Sequence, residues 1–433
     1  MKAGFVIIGD ELLAGSANDG HSAWLIDELS SAGVTVYETR MVGDDCDQIA
    51  QAVEELVAVC NLVIVTGGLG PTADDVTREA LAQAGAGALV EDQQALIHLR
   101  ERFRSHGRQM PEINGVQARR PEGMVCIDNT CGTAPGLLGQ IRQAQVVALP
   151  GPTVEMQAMF HGIKEDILDA VHAQEVSVSA GVFAFGMPEA VAGQRLGHLM
   201  ERDRMPRVGL TASNGILNAV ARAQGPTDAA AKMVEDCVEE IQRVWSPWAF
   251  SCQGQSLAEV VGGLLVAESL TLSTAESCTG GWIGKAVVDQ TGSSQWYRGG
   301  WVVYSNEMKS SQLGVDGALM QAGGPGAVSR EVAAALASGA CNESGSDLAL
   351  SVTGIAGPDG GTPSKPVGTV FIGVCDRRLE EEKVCVRRFC FSGTRSQIRQ
   401  RTVNAALQMC RFHLLEIEPP EPMLWEVSGS IAT

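Results

Sequence analysis

The chain has 433 residues, 45% hydrophobic and 19% charged, with a formal charge of −19. That length calls for two or three domains, and the acidic balance excludes bulk attraction to nucleic acid or an anionic membrane surface. Twelve cysteines without a CxxC pair disfavour a zinc ribbon or a thioredoxin-type site.

Residues 3–8 read as a buried parallel strand that ends at Gly9-Asp10-Glu11. The apolar run 5–8 meets two acids at once, so it is not a secretory signal. No apolar run approaches the roughly 18 residues of a membrane helix. These features predict a cytoplasmic protein with free thiols and no membrane partner. A helix over 20–32, a strand over 34–42, a helix over 47–60 and a strand over 62–65 follow with short turns. This alternation predicts a doubly wound, mostly parallel sheet. A further strand at 146–149 leads into a helix running to about 173.

The third strand runs into Thr66-Gly67-Gly68-Leu69-Gly70-Pro71-Thr72-Ala73-Asp74-Asp75. Glycines after a strand let backbone N–H groups approach a phosphate. Asp74 and Asp75 at a helix start cap it and favour its dipole, or serve with Asp10 and Glu11 as oxygen ligands of a hard divalent ion. Arg100, Arg102, Arg104, Arg108, Arg119 and Arg120 form a basic island. It reads as a solvated helix face, or as a source of one or two contacts to a diphosphate.

Residues 174–250 read strand, helix, hairpin around Asn214-Gly215, helix: a small α+β connecting domain. A linker follows at 251–255. From Ser256 a C-terminal α/β domain opens with a helix to about 270. Strands at 272–275, 299–304, 347–353 and 367–375 and a helix at 394–412 complete it. The tail, 416–433, is proline-rich and reads as poorly ordered.

Reactive groups crowd into Thr274-Ala275-Glu276-Ser277-Cys278-Thr279-Gly280-Gly281, Gly292-Ser293-Ser294 and Tyr304-Ser305-Asn306-Glu307-Met308-Lys309. No histidine lies between residues 199 and 412. Nucleophilic chemistry here must therefore do without a local imidazole. Tyr304 at a strand's carboxyl end and Lys309 in the next helix's first turn stand where ligands bind in open α/β sheets. A buried lysine there can act as a base, with the phenol relaying the proton. Ser294 is a turn former or a nucleophile. Cys278 is a rival nucleophile or a small buried hydrophobe.

Residues 256–413 resemble the C-terminal domain of the CinA family. The motifs are 275–281, Gly292-Ser293-Ser294, Val303-Tyr304-Ser305-Asn306 with Lys309, Thr353-Gly354-Ile355-Ala356-Gly357-Pro358, and Phe391-Ser392-Gly393-Thr394-Arg395. The resemblance implies nicotinamide-mononucleotide deamidation to the nicotinate nucleotide and ammonia. Ser294 would be the nucleophile, Tyr304 and Lys309 its activators. Ser277, Cys278, Thr279, Gly280, Thr353, Gly354, Arg395 and Arg399 would hold the nucleotide, with no cofactor.

Residues 1–170 resemble the molybdopterin-binding-type domain that begins full-length CinA proteins, through 9–15, 66–77, Asn129 with Gly132-Thr133-Ala134-Pro135-Gly136, and Leu149-Pro150-Gly151. This implies ADP-ribose hydrolysis to AMP and ribose 5-phosphate. Gly68, Gly70, Thr72, Gly132 and Thr133 would bind substrate. Asp10, Glu11, Asp74 and Asp75 would hold Mg²⁺, Mn²⁺ or Co²⁺, with K⁺ as a further ion. The alternatives are molybdopterin binding or nucleotidyl transfer by this domain, and a competence-related regulatory protein with degenerate sites. The expected boundaries are 1–173, 174–250 (KH-like), 251–415 and 416–433, in a homodimer whose partners are small nucleotides.

Overall fold

The computed structural model describes residues 2–169, 176–378 and 383–427. The expected boundary at 173/174 and the last tail residues lie outside them. The chain forms two compact units, Met1–Ser179 with Ala223–Lys232, and Ala180–Arg222 with Met233–Thr433.

The first unit opens with β1 (Lys2–Ile8), the single turn α1 (Asp10–Leu13), α2 (His21–Ser31), β2 (Thr35–Val42), α3 (Cys46–Val57) and β3 (Leu62–Thr66). It continues through α4 (Thr77–Leu81), β4 (Leu89–Glu91), α5 (Gln93–Ser105), β5 (Arg119–Pro121), β6 (Met124–Ile127), β7 (Gly136–Ile141), β8 (Ala144–Leu149) and α6 (Thr153–Asp169). The main sheet runs β2-β1-β3-β8-β7-β6. Its first four strands are parallel, and β7 and β6 return antiparallel. β3, Leu-Val-Ile-Val-Thr, is buried at every position, as a central parallel strand covered on both faces must be. On one face α3 brings Ile49, Val53 and Leu56 against Val6, Val63 and Val65. On the other, Leu25 and Leu29 of α2 and Phe160 of α6 meet Phe5, Ile7 and Ile64. The helices thus change faces beside β1, the switch point where such sheets open a crevice beyond their carboxyl ends.

Then come β9 (Val176–Phe185), α7 (Glu189–Leu196), β10 (Arg207–Ser213), β11 (Ile216–Gly225), α8 (Thr227–Trp245) and β12 (Ala249–Ser251), which lie in the second unit except for the first residues of β9, the last of β11 and the first of α8. Their sheet runs β10-β11-β9-β12. The β10–β11 hairpin turns at Asn214 and Gly215, both at positive φ (49 and 84), as a two-residue turn between twisted strands requires. Next come α9 (Leu257–Ala267), β13 (Leu272–Glu276), α10 (Trp282–Val288), β14 (Tyr297–Val302), α11 (Asn306–Leu313) and α12 (Arg330–Ser344). The last elements are β15 (Leu348–Gly354), β16 (Thr369–Asp376), β17 (Lys383–Cys390) and α13 (Arg395–Leu414). The sheet order is β14-β13-β15-β16-β17, with β14, β13 and β15 parallel and the rest antiparallel. Val332 and Leu336 of α12 cover one face against Ala275 and Ala349.

The small α+β elements are not strung on a free linker. The Gln408 side-chain amide on α13 donates to the carbonyls of Phe185 (3.0 Å) and Trp248 (3.3 Å), and Arg411 donates to those of Pro247 and Ala249. The tail departs from the expected disorder through residue 427. Met423 is buried, and the Trp425 ring lies against Phe391 and beneath the Arg401 guanidinium. Its carbonyl accepts from the Cys390 amide at 2.9 Å. An aromatic residue that finds a cation and a ring outweighs the local proline bias. Among the described residues, no helix is long and apolar enough to cross a membrane.

Candidate functional sites

In the second unit the carboxyl ends of β13, β14 and β15 build a shared rim. Glu276, the last residue of β13, is 1% exposed. Its carboxylate accepts from the amides of Gly281 (3.0 Å), Ile283 (3.0 Å) and Gly284 (2.7 Å). It occupies the amino end of α10, which closes that end to an anionic ligand and fixes the 277–281 loop. Gly280 and Gly281 take the left-handed conformation in this loop (φ 58 and 90).

Lys309 is placed as the sequence predicts. The Ser305 hydroxyl caps α11, accepting from the Met308 amide, and Lys309 follows in the first turns, only 2% exposed. Its ammonium donates to the Tyr304 carbonyl at 3.3 Å. Among the described residues, it has no carboxylate within ion-pair distance. Burial holds its pKa below the ordinary lysine value of 10.5, opposed by the neighbouring Cys278 and Glu307. Tyr304 is 62% exposed, and its hydroxyl accepts from Arg395 at 3.2 Å. Arg395 also donates to the Gly357 carbonyl (2.7 Å), and Arg399 to that of Thr279 (2.6 Å) while stacking 3.7 Å over Trp282. Both arginines therefore reach the rim from the first turns of α13.

Other expected members resolve differently. Burial, then the charge of Glu276, pushes the Cys278 thiol up to about 12, which removes it as a thiolate nucleophile at neutral pH. The Thr353 hydroxyl is committed to the Ala327 carbonyl (2.7 Å). A side chain at Gly354 would meet Val370 and the Cys278 sulfur, so glycine is needed for packing there. Thr279 is buried, with its hydroxyl unpartnered among the described residues. Ser277 is 8% exposed at the β13 end of the rim.

Ser294 is not on this rim. It lies exposed in the turn Ser293–Gln295, before β14, whereas Tyr304 follows β14. Leu272 pairs with Tyr297 and Glu276 with Val302. At about 3.3 Å per residue, the six residues of β14 put Ser294 and Tyr304 roughly 17 Å or more apart, at opposite ends of the sheet. Within one chain the expected Ser294–Lys309 pair does not form. The strand that sequence patterning places between them is what separates them.

In the first unit the glycine loop leaves β3 at the crevice. Asp75 is used internally: its carboxylate accepts from the amides of Gly70 (2.7 Å) and Thr72 (2.8 Å) and from the Thr72 hydroxyl. Asp10 and Asp44 exchange backbone-to-carboxylate hydrogen bonds. Burial raises the Asp44 pKa, and the charges of Asp10, Glu11 and Asp74 raise it further. Asp44 is thus a carboxylate that sequence reading missed, although it sits in Val-Gly-Asp-Asp directly after β2. These oxygen donors are the kind a hard divalent ion takes. Among the described residues, however, no three acidic, histidine or cysteine side chains stand ready as ligands, and Asp75 is already spent.

Gly132 donates its amide to Asn129 (2.6 Å), and a side chain there would displace the Glu155 carboxylate. Thr133 accepts a long bond from Gln117 (3.4 Å). Arg102 donates to the carbonyls of Asn129 and Thr130, and Arg120 pairs with Asp92, so these two arginines serve structure. His21, also missed, lodges its ring between the hydroxyls of Thr66 (3.1 Å) and Thr153 (3.4 Å) above the strand ends.

Residues 254–414 match the family model described as "CinA C-terminal domain" and residues 4–170 the "Probable molybdopterin binding domain". A CinA-like protein of Kosmotoga olearia is 36% identical over 419 residues, covering 96% of this chain and 100% of that protein. The chain belongs to the CinA family. A second CinA-like protein, from Frankia casuarinae, is 38% identical over 423 residues, covering 95% of this chain and 96% of that one. The crystal structure of CinA from Thermoplasma acidophilum is 31% identical, with 39% of this chain and 99% of that chain covered and a TM-score of 0.37. Full-length coverage by CinA-like relatives means that both units belong to the family's architecture.

Proposed function

We propose that this CinA-family protein is a two-site hydrolase of pyridine nucleotides. The second unit would deamidate nicotinamide mononucleotide. The observation that carries this reading is Lys309, a buried amine with a depressed pKa and no carboxylate partner among the described residues, on a rim with two arginines. The arginines suit a phosphate, since a net-negative protein must supply its positive charge locally. A neutral Lys309 takes the proton of a serine hydroxyl as that oxygen attacks the carboxamide carbon. It then gives the proton to the departing ammonia, and water releases the nicotinate nucleotide from the acyl-serine.

Within one chain Ser277 is a serine at the Lys309 end of the sheet, and Ser305 there is already engaged as the cap of α11. Ser294 acts only if a second copy presents it, and its exposure on a turn favours that second reading in a homodimer. Ammonia release from the mononucleotide separates the two. If Ser277 is the nucleophile, Ser277→Ala is inactive and Ser294→Ala active. If Ser294 acts across a dimer, Ser294→Ala and Lys309→Ala are each inactive, and their equal mixture regains about a quarter of wild-type activity through reassorted dimers.

The first unit would hydrolyse ADP-ribose at the crevice beyond β1 and β3. Asp10, Glu11, Asp44 and Asp74 do not form a ready ligand set among the described residues; they would hold Mg²⁺, Mn²⁺ or Co²⁺ only together with the diphosphate, whose charge the metal would neutralise. A chelator is expected to abolish AMP formation, with Mg²⁺ restoring it. Turnover that persists without metal contradicts this assignment. The description of the matching N-terminal family favours a second reading, a pterin phosphate on the same loop.

A further inference from the structure

The 66–75 loop is sewn down by two residues, Thr77 at the end of the 66–77 motif and Arg78 just beyond it. The Thr77 hydroxyl donates to the Gly67 carbonyl (2.8 Å) and its amide to the Gly68 carbonyl (3.2 Å). Arg78 donates to the carbonyls of Leu69 (2.6 Å) and Gly70 (3.3 Å). Four consecutive carbonyls, 67 to 70, therefore face α4. In a planar trans peptide the next residue's N–H points the opposite way. The amides of Gly68, Leu69 and Gly70 accordingly face away from α4, and Asp75 takes that of Gly70. Among the described residues, the Gly68 and Leu69 amides have no acceptor. Positive φ at Gly67 and Gly68 (101 and 65) shapes this pair into a concavity of the kind that binds anions.

The second observation is Arg78 itself. It is 2% exposed, has no carboxylate at ion-pair distance among the described residues, and keeps its Nε without a partner. Asp75 and Glu79 act on it only through space. A buried guanidinium bonded to carbonyls alone is a fixed, uncompensated positive charge behind the loop.

We infer that Arg78 is a positioning residue for phosphate recognition. It holds the loop so that the Gly68 and Leu69 amides face a phosphate of the ligand, and its charge favours that anion. The inference deepens the nucleotide-diphosphate reading of the first unit and rests on it for the identity of the ligand.

The test is calorimetric titration of the full chain and of Arg78→Met and Arg78→Lys with ADP-ribose and with inorganic pyrophosphate, in Mg²⁺ at several salt concentrations. Arg78→Met is expected to weaken both ligands roughly tenfold and to flatten the salt dependence of binding. Arg78→Lys keeps the salt dependence but binds less tightly than wild type, because an ammonium cannot span two carbonyls as the guanidinium fork does. Wild-type affinity and salt dependence in folded Arg78→Met overturn the inference. If that variant does not fold, wild-type affinity in Arg78→Lys overturns it. Wild-type protein that binds pyrophosphate but not ADP-ribose refutes the ligand reading while leaving Arg78 testable with pyrophosphate.

Discussion

Lys309→Met is expected to lower kcat for nicotinamide-mononucleotide deamidation by roughly 10²–10⁴-fold, the range a positioned proton-transfer group supplies. KM should move little, because the phosphate is assigned to Arg395 and Arg399. Methionine matches the lysine stem in length and removes a buried cation that has no carboxylate partner among the described residues, so the thermal midpoint should hold or rise. Lys309→Arg should not rescue, since a guanidinium does not surrender its proton. The pH dependence has a defined sign. The reactive form is the neutral amine, so kcat rises with pH through the Lys309 pKa. Burial depresses that pKa, so the inflection should lie below the ordinary lysine value. A kcat that falls as pH rises through this limb, or full activity in Lys309→Met, contradicts the assignment.

The second large effect is structural and lies at the far end of α13. Asp376 ends β16 with its side chain 0% exposed. It accepts from the Arg378 amide (2.9 Å), Nε (3.0 Å) and Nη2 (2.6 Å), and its Oδ2 lies 2.7 Å from His413 Nε2 on α13. Burial alone would raise its pKa, but the bonds from Arg378 and His413 outweigh it and bring the pKa from 3.8 down to about 2. A carboxylate whose pKa is depressed on folding stabilises the protein above its unfolded pKa. The gain, ~2 kcal/mol, is lost as pH falls from about 4 through about 2. Asp376→Ala leaves its partners uncompensated and should cost about 3 kcal/mol, toward the low end for a broken buried pair because Arg378 is partly exposed. Scanning calorimetry should show a midpoint lowered by roughly 6–12 °C near neutral pH. The gap should close as the wild type is acidified toward pH 2. A constant gap across that window would show that lost packing, not charge, explains the variant.

The parallel strands and their covering helices were legible because each carries a local signature: the apolar run of β3, the serine cap before α11, the Asn-Gly turn of the hairpin. Lys309 could be placed for the same reason, since it follows a capped helix start at a strand end. Ser294 was joined to it by the family resemblance rather than by any local signature, and within one chain a six-residue strand stands between them. Arg78 looks in the sequence like any arginine on an exposed helix. Its burial depends on loop carbonyls eight and nine residues upstream, which no spacing rule announces. Asp44 was passed over because its acidic neighbours Asp10, Glu11 and Asp74 arrive from two other strand ends, those of β1 and β3. The docked tail depends on Trp425 meeting Arg401 and Phe391, contacts that composition does not encode.

The central claim is that the rim around Lys309 hydrolyses an amide. The most direct measurement is to incubate the purified full chain with nicotinamide mononucleotide and quantify every product. The account predicts nicotinate mononucleotide and ammonia in equal amounts, both lost in Lys309→Met. Free nicotinamide with ribose 5-phosphate, or equal ammonia release by Lys309→Met, would contradict it.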